Sequence, residues 1–139
     1  MSGRLWLIVE GQYDGDIVRA ILSKHPDYPE LAKRVEVIKP TGGTPNLSRL
    51  ATQLEKLIQS IQKQKNDCIA VLHDQDANAE PHRRQHYDKI QKVCRRYPQV
   101  VEVIAKDELE AWLLADGGCA IGWASRCKTG MKRPSPRKD

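Results

Sequence analysis

Hydrophobic positions along the chain follow two rhythms that take turns. Short apolar runs at 4–10 ("RLWLIVE"), 34–40 ("RVEVIKP"), 67–74 ("DCIAVLHD") and 99–106 ("QVVEVIAK") have the length and β-branched content of strands. Between them the spacing changes to threes and fours. Residues 14–24 put Ile17, Val18, Ile21 and Leu22 on one helical face, and residues 80–97 do the same with Ile90, Val93, Cys94 and Tyr97. The clearest helix carries Leu47, Leu50, Ala51, Leu54, Leu57, Ile58 and Ile61, with Thr44 expected as its N-cap and Pro45 at its first position. A short helix is expected over 107–116, with Leu109, Trp112 and Leu113 on one side and acids in its first turn.

Strands alternating with helices in this way predict an α/β fold with right-handed crossovers. It is a Rossmann-like domain of about four parallel strands with flanking helices. The near-continuous apolar run of the third strand fits a position covered on both faces. Periodicity fades beyond Gly117, dividing the chain into an α/β domain over 1–117 and a tail over 118–139.

Composition narrows the class without naming a chemistry. The 139 residues fit one domain, and no apolar run approaches the roughly 20 residues that cross a bilayer. Acids in the first 16 residues come too early for a signal peptide. Cys68, Cys94, Cys119 and Cys127 form no C-x-x-C pair, so neither a disulfide framework nor a zinc ribbon is expected, and a cytoplasmic location is the default. The net charge of +5 comes entirely from residues 126–139, which hold six basic residues and one acid. Arg126, Lys128, Lys132, Arg133, Arg137 and Lys138 would attract a polyanion such as nucleic acid, DNA or RNA, or simply keep the tail solvated.

The acids fall where such a fold binds ligands. In an open parallel sheet, ligands sit at the carboxyl ends of the strands. Glu10 closes the first strand, Asp74 and Asp76 the third, and Glu108 and Glu110 follow the fourth. Hard oxygen donors without companion cysteines suit Mg²⁺ or Mn²⁺, and a cation would offset the repulsion between Asp74 and Asp76. On the same edge, Thr41, Gly42, Gly43 and Thr44 form a turn that either cradles a phosphate at a helix N-terminus or serves only as a tight connection. Lys106 ends the fourth strand and could meet a phosphate. His73 would support Asp74, take part in acid/base chemistry, or sit as a satisfied core histidine. His82 and His86 share a helix face, but Arg83 and Arg84 between them favour a solvated or phosphate-contacting surface over zinc.

The first strand ending in "VEGQYD", the Gly-Gly turn before a long helix, "HDQD" and "ELEAWLLAD" together resemble the Toprim domain of topoisomerases, bacterial primases and OLD-type nucleases. The match spans roughly 4–116 and is nearest to small stand-alone Toprim-like proteins, whose genes often neighbour phage-defence or ATPase genes. The resemblance implies Glu10 as general acid/base or metal ligand and Asp74 and Asp76 as Mg²⁺ ligands. It also implies Asp14 as the nuclease branch's second acid, where Glu is usual, and Glu110 as the acid of the last motif. No ATPase domain is attached, so an OLD-type activity would require a partner ATPase chain.

These readings converge on an expected Mg²⁺- or Mn²⁺-dependent phosphodiesterase acting on nucleic acid, a nuclease, with Glu10, Asp74 and Asp76 catalytic. The alternative is a non-catalytic Toprim-type module that binds nucleic acid or an ATPase partner. A receiver-like domain phosphorylated at Asp74 fits less well, since it leaves Asp76 and Glu110 without a role.

Overall fold

The computed structural model describes residues 3–24, 29–75 and 81–106. The helix expected over 107–116, Asp76 and the basic tail lie outside them. The elements run β1 (Leu5–Val9), α1 (Asp14–Lys24), α2 (Pro29–Ala32), β2 (Val35–Ile38), α3 (Leu47–Ser60), β3 (Cys68–Gln75), α4 (Pro81–Arg96) and β4 (Val100–Lys106). The four strands form one parallel sheet in the order β2-β1-β3-β4. The Rossmann-like α/β expectation is met.

Alternation along the strands sorts the core into two layers. Leu5, Leu7, Val9, Cys68, Ala70, Leu72 and Val103 face α1 and α2, packing against Val18, Ile21, Leu22 and Leu31. Ile8, Ile69, Val71 and Val100 face the other way, against Leu50, Leu54 and Ile58 of α3 and Tyr87, Ile90 and Val93 of α4. The central strands β1 and β3 are thus covered on both sides, which is why their sequences are almost continuously apolar. Leu50 and Leu54 are fully buried, each contributing about 1.5–3 kcal/mol over an exposed position.

Three local features depart from the sequence expectations. The helix over 47–60 starts later than expected: its cap is Asn46, whose side chain accepts from the Arg49 amide at 2.8 Å, and not Thr44. Both residues suit a cap, but the backbone becomes helical only after Asn46. The single-turn α2 was not expected, being too short for a periodic signal. Cys68 is disulfide-bonded while Cys94 is free and buried. Cys94 is the nearest cysteine to Cys68 in sequence, so no short-spacing signature marks that bond.

At the amino end of the sheet, Asp67 ties three segments together. Its Oδ1 accepts from the Arg4 amide at 2.8 Å. Its Oδ2 accepts from the Trp6 indole and from the Gln64 amide, each at 2.9 Å. Burial would raise the Asp67 carboxyl, but these three donors hold it below the usual carboxylate range. Among the described residues, no helix is long and apolar enough to cross a membrane.

Candidate functional site at the carboxyl edge

The chain leaves β1 toward β2 on one side and leaves β3 toward β4 on the other. The strand order therefore reverses between β1 and β3, and this opens the crevice where open α/β sheets hold ligands. Glu10 and Asp74 stand at that point. Glu10 is only 9% exposed, and its Oε1 accepts from the Asp74 amide at 2.6 Å, joining the two strand ends across the crevice.

Glu10 is held in an environment that disfavours its charge. Burial pushes its carboxyl above the usual range, and the nearby Asp14 carboxylate pushes the same way. The Asp74 amide, His73 and Arg83 pull against that rise without cancelling it. Asp14 opens α1, and its Oδ2 accepts from the Gly11 amide at 3.0 Å, folding the 11–14 turn back on itself. The close seat of α1 depends on Gly15: a Cβ there would meet Val37 Cγ2 at 2.5 Å. The sequence-predicted Glu10, Asp14 and Asp74 thus gather at one edge, while Asp76, Glu108 and Glu110 lie outside the described residues.

His73 is 1% exposed and fills the gap between a satisfied core residue and a working one. Its Nε2 lies 3.0 Å from Glu102 Oε2, and its ring stacks on Tyr87 with centroids 5.8 Å apart. Its Nδ1 is buried and makes no hydrogen bond. His73, Glu102, Tyr87, Asp88, Gln91 and Ile104 line a cavity of about 100 Å³. Glu102 escaped the sequence reading as a lone acid in an apolar strand; its alternation with Val100 and Ile104 was the available signal.

The Gly-Gly turn also has a partner that the sequence reading did not select. Gly42 and Gly43 adopt φ of +94° and +148°, and the Arg49 guanidinium packs over both, with Arg49 Nη2 2.7 Å from where a Gly43 Cβ would sit. A side chain there would be strained and would displace the arginine. Thr41 is engaged within the protein: its amide donates to Gln53 Oε1 and its carbonyl accepts from Gln53 Nε2, both at 2.8 Å. Thr44 is exposed beside the glycines. The anion-facing part of the turn is therefore Gly42, Gly43 and Arg49. On α4, Arg83 lies over the Tyr87 ring at 6.0 Å, bringing a cation close to Glu10. Lys106 closes β4 in register with Gln75, its side chain lying outside the described part, as do Arg126, Lys128, Lys132, Arg133, Arg137 and Lys138.

The donor set fits a hard divalent cation in kind: carboxylates from two strand ends and a helix start, one of them buried with its charge uncompensated. Among the described residues no three such groups already converge on a metal position. A cation would accordingly draw the Asp14 and Asp74 carboxylates inward and take further ligands from elsewhere in the chain. No family model and no curated protein matches the chain.

Proposed function

We propose that the chain is a Mg²⁺- or Mn²⁺-dependent phosphodiesterase acting on nucleic acid, a nuclease of the Toprim kind. The observation that supports this reading is the buried Glu10 carboxylate bonded to the Asp74 amide at the point where strand order reverses. Glu10, Asp14 and Asp74 would hold the cation, with Asp76 and Glu110 completing its shell. When bound, the cation supplies charge neutralisation of the phosphate and stabilisation of the leaving oxygen.

The remaining work falls to the chain's own groups. Glu10, with its proton affinity raised by burial, is suited to take a proton from the attacking water and return it to the leaving group. Arg49 over the Gly42–Gly43 turn would orient a flanking phosphate, and Arg83 would steady charge beside Glu10. The basic 126–139 segment would hold the polyanion by sequence-independent contacts.

The test is cleavage of supercoiled plasmid, single-stranded DNA and RNA with Mg²⁺, Mn²⁺ or EDTA, using wild type beside Asp74→Ala. Metal-dependent cutting that vanishes in the variant is expected, with nucleic-acid retention on gels unchanged. Retention by both proteins with cutting by neither would replace this reading with the non-catalytic binding module.

A further inference from the structure

Glu10, His73 and Glu102 form a row across three neighbouring strands on one face of the sheet. Val9 pairs with Leu72 and His73 with Ile104, so Glu10 follows into register beside His73, and Glu102 lies two residues back on the same face of β4. Alternation agrees: Ile8 and Val71, two residues before Glu10 and His73, belong to the same core layer as α3 and α4. Strands stand about 4.8 Å apart, which brings these side chains within reach of one another.

The hydrogen bonding of His73 gives the row a direction. A carboxylate only accepts, so the contact with Glu102 places the ring proton on Nε2 and leaves Nδ1 as a bare lone pair. The two ring nitrogens point apart, so an imidazole whose Nε2 faces β4 turns Nδ1 toward the β1 side, where Glu10 stands. That nitrogen is buried with no donor to meet it, a cost of about 1–3 kcal/mol for an ordinary core residue. Tyr87, stacked on the ring, helps hold its orientation. An imidazole whose far nitrogen donates to a carboxylate is the usual arrangement of a metal-bound histidine.

We propose that His73 Nδ1 is a ligand of the cation held by Glu10 and Asp74, with Glu102 as the outer carboxylate that fixes its tautomer. The inference rests on the cation-dependent reading above and adds a nitrogen to an otherwise all-oxygen site. Imidazole suits Mn²⁺ better than Mg²⁺, whose preferred donors are oxygens. The site therefore discriminates in favour of Mn²⁺.

The test is pulsed electron paramagnetic resonance of bound Mn²⁺, comparing protein with ¹⁴N- and ¹⁵N-labelled imidazoles. The chain has four histidines, so a His25→Gln, His82→Gln, His86→Gln protein retains His73 alone and leaves the core untouched. Imidazole nitrogen modulation is expected in that protein and absent from His73→Asn. Glu102→Leu should lower Mn²⁺ affinity about 10–100-fold, and Glu102→Gln less, because its amide oxygen still accepts from Nε2. Mn²⁺ bound in an Asp74-dependent way without imidazole modulation in the triple variant would overturn the inference and leave the proposed function standing. Absence of Mn²⁺ binding to wild type would overturn both.

Discussion

Replacing Glu10 with glutamine should stabilise the cation-free protein and abolish its cation-dependent chemistry. Glutamine matches glutamate in shape, and its amide oxygen can keep the 2.6 Å bond from the Asp74 amide. What it removes is a charge in a site only 9% exposed, with the Asp14 carboxylate nearby. Relief of such a buried charge is worth about 1 kcal/mol, within the usual range of single stabilising changes. In a protein this size that is about 4 °C in melting temperature. The pH dependence fixes the sign. The folded-state pKa is raised, so the native protein keeps its proton longer than the unfolded chain. Wild-type stability then falls relative to Glu10→Gln as pH rises from the unfolded value near 4.3 through the folded value, and the gap stays constant above it. Thermal unfolding in EDTA at a series of pH values from 4 to 8 measures this directly. Glu10→Ala, which loses the hydrogen bond and opens a void, should be destabilised at every pH. A Glu10→Gln protein no more stable than wild type at pH 7.5 would refute the claim that this carboxylate carries uncompensated charge.

Asp67 should behave in the opposite way. Asp67→Asn turns an amide toward donors it cannot accept from, at a cost of about 3 kcal/mol at neutral pH. Because the folded pKa of Asp67 is lowered, its contribution is present above the unfolded value near 3.9 and is lost as pH falls through the folded value, so acid unfolding curves of the two proteins should converge at low pH. Gly15→Ala should lose about 1–3 kcal/mol by urea denaturation despite alanine's better helix propensity, because the new methyl meets Val37. Asn46→Ala should cost about 1 kcal/mol in the same assay, while Thr44→Ala should be near neutral.

Much of the architecture could be read from periodicity, because burial on one face writes itself into the spacing of apolar residues. The strand at 68–75 and the helix at 47–60 were expected within a residue or two at most ends for this reason. Local hydrogen-bond choices were less legible. Thr44 and Asn46 have the same capping chemistry, and only the backbone path selects between them. The anchoring of Asp67 depends on Arg4 and Trp6, more than 60 residues away, and no local pattern announces it. In the candidate site, the acids at 10, 14 and 74 stood out because each follows or precedes a regular element. Glu102 and Arg49 did not, since an acid within a strand or an arginine on a helix has an ordinary solvent-facing explanation until the register is known. The register is what places Glu102 beside His73.

The Asp67 junction also bears on how freely this protein can change. It fastens the beginnings of β1 and β3, by way of Arg4 and Trp6, at the end of the sheet opposite Glu10 and Asp74. The two central strands are thereby registered without help from the loops that follow them. Those loops can be exchanged, lengthened or recombined while the strands stay aligned. The same scaffold is therefore open to a succession of different specificities, acquired one loop at a time.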